Sequence, residues 1–298
     1  IDAFETLHKL SQTQEGRETI SEKFMLEPKW TSDPNDVISD LNMNNVFSAL
    51  VGLYMGTVQY NWVDWSDVAN MCSFFEDDSI SSIDALSALR MDEDYGYGND
   101  YLSSDYDADL QYYIDMKDYV DGHKDNNTYD DDELAGILWT WQTCNEFGYY
   151  QSSDYGDGIF GTPVPLNFYV VMCEKLFGIG MDQIENSVAR SNYQYGGRSR
   201  YNTTNVVLPN GDGDPWHALG ILEKGNLDET VVPIVIKGTS HCADMYGATK
   251  DDPPDLTQAR KTILENIQKW LKPATPTTTT TIGAKLIEIK TSPTTTSA

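Results

Sequence analysis

The hydrophobic pattern of the first 90 residues predicts a helical module. Apolar residues recur at three- and four-residue spacing, which is typical of a helix with one buried face. They are Val37, Ile38, Leu41, Val46, Phe47, Leu50, Val51 and Tyr54. Two further helical stretches are expected over 66–75 and 82–90, with Ser66 and Ser82 as N-caps.

Beyond residue 160 the pattern changes to that of a mixed α/β fold. Short apolar runs at 205–208 and 230–236 predict two buried strands. The segment between them is long enough for a helical crossover, so we expect the strands to be parallel neighbours in one sheet. An amphipathic helix is predicted over 256–271, and Pro273 ends it.

A strongly acidic segment over 92–133 separates these two parts of the chain. It holds 15 Asp and Glu residues and only two Lys. The calcium-loop pattern D-x-[DN]-x-[DN]-G-x5-E occurs nowhere in it, so no metal site is expected. The segment is predicted to be a solvated acidic loop that leads into a helix from residue 134.

The composition of the 298 residues indicates an acidic protein with a real core. Apolar residues make up 40% of the chain, the formal net charge is −27 and the pI is about 4.2. Nucleic acids and anionic membrane surfaces are therefore excluded as partners, because phosphate binding needs clusters of Lys and Arg. The sequence contains no run of 18 apolar residues that would span a membrane.

The cysteines and glycosylation sequons indicate the secretory pathway. Four cysteines lack C-x-x-C spacing, which gives no sign of a zinc or redox motif. N-x-[ST] sequons occur at Asn126 and Asn202, both in polar sequence. We expect a secreted or lysosomal protein. Since the chain starts at Ile1 without a signal peptide, we also expect it to be part of a longer protein.

Candidate chemistry follows the two predicted strands. Asp214 comes six residues after the first strand, and His241 comes five residues after the second. The carboxyl ends of parallel strands gather catalytic groups, and an Asp that orients a His forms two-thirds of a hydrolase triad. From the residues alone, Asp212 competes with Asp214 as the acid and His217 competes with His241 as the base.

The sequence does not supply a nucleophile for this pair. No G-x-S-x-G elbow occurs anywhere in the chain, and the nearest segment, 238–242, lacks the second Gly. Its serine directly precedes the candidate base, which does not suit a nucleophile. We therefore expect the catalytic serine to lie outside this chain, and the chain alone to be inactive.

Three sequence blocks resemble those of one peptidase family. Residues 141–148 read W-Q-T-C-N-E-F-G, residues 210–216 read N-G-D-G-D-P-W, and residues 238–241 read G-T-S-H. In this order and spacing they resemble the prolyl carboxypeptidase and dipeptidyl-peptidase II family of serine peptidases. The W-Q-T-C-x-E-F-G form is most similar to the thymus-specific serine protease branch of that family.

The resemblance implies roles for individual residues. Asp214 would be the triad acid and His241 the base, which demotes Asp212 and His217. The nucleophile would lie N-terminal to Ile1 in a G-G-S-Y-x-G type segment. The resemblance further implies a disulfide and two residues near the substrate pocket. The disulfide would join Cys144 and Cys173. The residues near the substrate pocket would be Glu146 and Trp216, although Glu146 is equally well interpreted as a buried, hydrogen-bonded residue.

The same resemblance implies the architecture and the partners. It indicates an α/β-hydrolase fold with a helical cap over 1–133 and the C-terminal part of the hydrolase domain over 134–272. The Thr- and Pro-rich composition of 273–298 separately predicts a disordered tail. The implied substrates are peptides, typically cut after proline. No cofactor and no metal are expected, and the protein is expected to form a homodimer. An Arg soon after the base, found in the carboxypeptidases of the family, is missing from 243–246.

Two alternatives stay open at this point. Cys72 is expected to pair with a residue upstream of Ile1 or with Cys242. The rival to a serine peptidase is a non-catalytic secreted homologue that keeps the scaffold and acts as a binding protein.

Overall fold

The computed structural model describes residues 2–30, 38–61, 67–122, 129–155 and 158–272. The N-terminal part is helical, as the pattern predicts. Its helices are α1 (Asp2–Ser11), α2 (Gln14–Lys23), α3 (Asp40–Gln59), α4 (Val68–Ser73), α5 (Ser82–Met91) and α6 (Tyr106–Val120). Two short strands, β1 (Leu26–Glu27) and β2 (Leu102–Ser103), pair in parallel among them.

The helix α3 is the longest of these and forms where apolar periodicity predicts it. The Ser39 hydroxyl caps it by accepting a hydrogen bond from the Asn42 amide at 3.1 Å. Its buried face carries Phe47, Leu50 and Leu53 into the main hydrophobic core. The helix is therefore held firmly by packing along its length, and its last residue is Gln59.

Two of the predicted caps need correction. The N-cap of α5 is Ser81, whose hydroxyl accepts from the Asp84 amide, and Ser82 is already the first helical residue. Ser66 lies outside the described residues, and the carboxylate of Asp67 caps α4. In both cases the structure moves the cap by one position.

The prediction of an acidic loop over the whole of 92–133 is wrong, because residues 106–120 form α6. The Asp105 carboxylate caps this helix, and Tyr106, Leu110 and Met116 are buried on one face of it. The acidic side chains occupy the remaining faces, so a high charge density conceals an amphipathic helix. Residues 123–128, with the sequon at Asn126, lie outside the described residues.

The buried guanidinium of Arg90 holds the segment before α6. It donates hydrogen bonds to the carbonyl oxygens of Gly98 (2.9 Å) and Asp100, and its plane lies over the Tyr97 ring at 5.6 Å. Burial lowers the pKa of Arg90 from its ordinary value. The stretch of the acidic segment between α5 and α6 is therefore tied to α5.

The C-terminal part of the described chain contains four helices and one strand pair. These are α7 (Asp131–Gln142), α8 (Leu166–Phe177), α9 (Met181–Tyr195), β3 (Val206–Gly211), β4 (Val231–Ile236) and α10 (Pro254–Trp270). A π-helical segment, Thr143–Phe147, extends α7, and short 3-10 helices cover Pro215–Leu219 and Ala243–Met245. Pro273 and the tail after it lie outside the described residues.

The strands β3 and β4 are parallel, as predicted, and pair in register from Val206↔Val231 to Gly211↔Ile236. The connection between them differs from the expected helical crossover. All residues from 212 to 230 are described, and they contain a 3-10 helix and turns rather than an α-helix. The Gly, Pro and Asp residues in this connection favour turns over helix.

The main hydrophobic core crosses the predicted domain boundary at residue 133. Ile137 of α7 and Phe168 and Leu176 of α8 belong to the same buried cluster as the helices before that residue. A smaller core of Ile236, Ala243, Leu256 and Ala259 packs α10 against β4. The described part of the chain is thus α-rich with two parallel strand pairs. The division into a cap and a hydrolase domain stays a prediction.

Candidate active site

The side chains of Asp214 and His241 meet at the carboxyl ends of β3 and β4. The register ends at Gly211↔Ile236, so both following loops leave the sheet at the same edge. Asp214 is 7% exposed and caps the 3-10 helix through Oδ1, which accepts from the Trp216 amide at 2.9 Å. Its Oδ2 lies 2.9 Å from Nδ1 of His241.

A glycine allows the two loops to approach this closely. A Cβ atom at Gly211 would lie 2.5 Å from the carbonyl oxygen of Ser240 and 2.6 Å from that of Thr239. The Gly213 amide donates to the Thr239 carbonyl at 2.9 Å. Backbone contact between the loops therefore requires glycine at residue 211, and this contact brings residue 214 to residue 241.

Asp212 and His217, the residues that compete with this pair in the sequence, make hydrogen bonds elsewhere in the loops. Asp212 is exposed, and its Oδ1 accepts a hydrogen bond from the Gly238 amide at 2.8 Å. His217 Nδ1 contacts the main-chain carbonyl oxygen of Asp214. The geometry thus pairs Asp214 with His241 and gives Asp212 and His217 local roles in the loops.

The end of α3 contacts both loops, and the sequence pattern did not predict these contacts. The His241 amide donates to the Gln59 carbonyl oxygen at 3.0 Å, and Trp216 Nε1 donates to Gln59 Oε1 at 2.9 Å. The Tyr60 ring meets the His241 ring edge-on, with centroids 6.1 Å apart. No motif marks Gln59, because its contacts lie 157 and 182 positions further along the chain.

A cavity of about 310 Å³ opens beside Trp216. Its walls are mostly apolar or aromatic, with two glutamines as polar groups. They are Met55, Gln59, Gly148, Tyr149, Tyr150, Gln151, Pro215, Trp216 and Leu219. The size and lining suit a compact apolar side chain.

The two residues predicted to lie near a substrate pocket are placed differently. Trp216 forms part of the cavity wall and contacts the rings of Trp139 and Tyr149, with centroids 5.9 and 6.2 Å away. Glu146 is half-buried in the π-helical segment and is not a wall residue of this cavity. The segment that contains Glu146 leads into the wall through Gly148, which has a φ of +65°.

The comparison with known proteins decides the family. A family described as "Serine carboxypeptidase S28" matches residues 1–263. The chain belongs to the serine carboxypeptidase S28 family. This confirms the resemblance to prolyl carboxypeptidase drawn from the three sequence blocks.

Relatives of this S28 chain carry names of serine proteases and of a carboxypeptidase. A Caenorhabditis elegans protein named as the serine protease F56F10.1 is 33% identical over 283 residues, which is 91% of this chain and 50% of that protein. Mouse thymus-specific serine protease is 37% identical over 143 residues, 47% of this chain and 28% of that protein. Bovine lysosomal Pro-X carboxypeptidase is 27% identical over 142 residues, which is 46% of this chain and 26% of that protein. The chain spans about half the length of the Caenorhabditis elegans relative.

A disulfide joins Cys144 and Cys173 in this S28 chain, as the resemblance implies, with Cα atoms 5.6 Å apart. It links the π-helical segment to α8 inside a small buried cluster with Ile184. Cys72 and Cys242 are free and exposed, so the alternative pairing between them is not formed. Burial, followed by the carboxylates of Asp214 and Asp244, raises the pKa of the Cys242 thiol.

Other kinds of site find no support in the part of the chain that the structure describes. Within it, no three or more His, Cys, Asp or Glu side chains are grouped so that they could hold a metal ion. Likewise, none of the helices with described residues is long and apolar enough to cross a membrane. Asn202, one of the two sequons, lies exposed in the loop before β3.

Proposed function

We propose that the protein containing this chain is a serine peptidase that hydrolyses peptide bonds with a Ser–Asp–His triad. Asp214 supplies the acid, His241 the base, and a segment N-terminal to Ile1 the serine. The observation that carries the proposal is the 2.9 Å contact between Asp214 Oδ2 and His241 Nδ1. Membership of a serine carboxypeptidase family supports it.

The contact supports one arrangement of the protons. Because the Asp214 carboxylate can only accept, Nδ1 of His241 carries the proton and Nε2 is the basic nitrogen. As the serine Oγ attacks the peptide carbonyl, Nε2 takes the hydroxyl proton and later gives it to the departing amine. Water then attacks the acyl-enzyme with the same help from Nε2, and Asp214 stabilises the imidazolium formed in each step.

The cavity beside Trp216 supports an apolar residue before the cut bond. Its aromatic and apolar walls fit the compact ring of proline, and we propose exopeptidase action with a preference for proline at that position. The Cys144–Cys173 disulfide supports an oxidising location, because such bonds persist in secreted and lysosomal proteins. We therefore propose a secreted or lysosomal peptidase.

The test begins with the coding sequence upstream of Ile1 and continues with the full-length protein. A G-x-S-x-G segment upstream, together with cleavage of proline-containing peptides that is lost in its Ser→Ala variant, is the expected result. A reading frame without such a serine, or cleavage that survives the substitution, would overturn the proposal. The first of those outcomes would favour a non-catalytic homologue that binds peptides.

A further inference from the structure

Gln59, the last residue of α3, bonds to both halves of the candidate site. Its main-chain carbonyl accepts from the His241 amide at 3.0 Å, and its Oε1 accepts from the indole Nε1 of Trp216 at 2.9 Å. His241 is the candidate base, and Trp216 forms part of the cavity wall. The end of a buried helix therefore contacts both groups that the reaction needs to hold in place.

The side-chain amide of Gln59 is fixed in one orientation. An indole nitrogen can only donate, so the atom that faces Trp216 is the amide oxygen. The amide nitrogen then faces Tyr60, and Nε2 donates to the Tyr60 hydroxyl oxygen at 3.0 Å. Since Tyr60 also packs edge-on against the His241 ring, the amide connects the wall of the cavity to the surroundings of the base.

The main-chain contact follows from the position of Gln59 at the helix end. The last four carbonyl groups of an α-helix have no partner within the helix. At Gln59 the amide of His241 supplies that partner, which fixes the loop backbone relative to α3. The core packing of Phe47, Leu50 and Leu53 anchors the helix, so the contact is made to a rigid support.

We propose that Gln59 is a positioning residue, which sets the orientation of Trp216 for the substrate side chain that enters the cavity. This inference rests on the proposed peptidase function. The amide acts on the wall and the carbonyl acts on the base loop, so the two contacts are separable by substitution. Replacing Gln59 with a residue that lacks a side-chain acceptor removes the bond to Trp216 and leaves the main-chain carbonyl bond to His241 in place.

The test compares two substitutions of equal length in the full-length protein. Gln59→Met removes the acceptor for Trp216, whereas Gln59→Glu offers one carboxylate oxygen to Trp216 Nε1 and the other to the Tyr60 hydroxyl, which then donates. We expect Gln59→Met to raise KM about tenfold for a peptide with proline in the cavity, with kcat changed by less than about threefold. For a matched peptide with glycine in place of that proline, we expect the KM of Gln59→Met to change little. We expect Gln59→Glu to keep the wild-type KM for the proline peptide.

Gln111→Met is the matched control, since Gln111 lies exposed on α6 and bonds to Asp115. Should Gln59→Met fail to fold, Gln59→Asn replaces it, because the shorter amide cannot reach the indole and KM is expected to rise equally. An unchanged KM in the folded Gln59 variant, alongside a kcat that Asp214→Asn lowers by about 10⁴-fold, overturns this inference and leaves the peptidase proposal intact. A kcat that stays near the wild-type value in Asp214→Asn overturns both.

Discussion

Asp214 and His241 lie 27 positions apart in the sequence, and their side chains meet with 2.9 Å between Oδ2 and Nδ1. Three features produce this contact. The parallel register places both loops at one sheet edge, Gly211 lets the loops touch, and the Trp216 amide holds the Asp214 carboxylate by donating to Oδ1. The contact therefore depends on the backbone as much as on the two side chains.

Replacing Asp214 with Asn is expected to leave the loop geometry unchanged and to disable His241 as the base. An amide that donates to Nδ1 would place the imidazole proton on Nε2, the nitrogen that must accept from serine. We expect kcat of the full-length protein to fall by about 10⁴-fold. Asp212→Asn is the control, because Asp212 bonds to Gly238 instead, and its peptide hydrolysis should stay within about threefold of wild type. Equal losses in both variants would contradict the assignment.

The Cys144–Cys173 disulfide is expected to stabilise the fold substantially. The two cysteines are 29 positions apart, and closing a loop of that length stabilises a protein by about 3–4 kcal/mol. The double variant Cys144→Ser/Cys173→Ser should therefore melt at a lower temperature in a calorimetric scan, and a reductant should no longer affect it. Cys242→Ser, at the other cysteine that is free and exposed in the structure, should melt like wild type.

Arg260 on α10 is expected to hold the loop that follows the base. Its guanidinium donates to the carbonyls of Ala243 (2.8 Å) and Tyr246 (2.8 Å) and to the Asp252 carboxylate. Arg260→Met removes the donor for these acceptors, and we expect a loss of about 2–3 kcal/mol of unfolding free energy. Hydrogen exchange over 243–252 should become faster as well.

Lys261→Met is the matched control for Arg260, since Lys261 lies on the same helix and makes an exposed ion pair of 3.9 Å with Glu265. Exposed pairs contribute little to stability, so this variant should melt within about a degree of wild type. A similar loss of stability in both variants would show that Arg260 acts through helix packing and not through the loop.

The loop carries one pH-dependent contribution to stability at Asp252. Hydrogen bonds from Thr249 and the charge of Arg260 lower the pKa of Asp252 below its ordinary value of 3.8. A lowered pKa gives stability that is fully present above pH 3.8 and is lost as the pH falls through the lower, folded-state pKa. Wild type should therefore melt higher than Asp252→Asn above about pH 4, and the difference should shrink in more acidic buffer. A difference that is constant with pH would contradict this origin.

How far the sequence predicts this molecule depends on the range of the interactions. The periodicity of α3, the parallel pair β3–β4 and the helix α10 follow from local hydrophobic pattern, and each is present within a few residues of its expected place. Local composition misled the prediction in α6, where acidic residues conceal three buried apolar positions on one face. The net charge of a segment indicates how exposed it is to solvent, but it does not indicate its secondary structure.

The candidate site divides in the same way. Asp214 and His241 stand after strands, so a topological rule is enough to predict that they lie together. Gln59 and the cavity wall from Met55 to Leu219 depend on how α3 packs beside the two loops, and no local pattern records that packing. Contacts of this kind, between segments far apart in the chain, are therefore not predictable from hydrophobic pattern and motifs.

A serine-directed organophosphonate probe tests the central claim most directly. The probe is applied to the full-length protein and to its His241→Ala variant, and the labelled residue is mapped by mass spectrometry. We predict one labelled serine, located N-terminal to Ile1, and loss of the label in His241→Ala. Labelling that persists without His241, or an unlabelled protein that still hydrolyses peptides, would contradict the proposed triad.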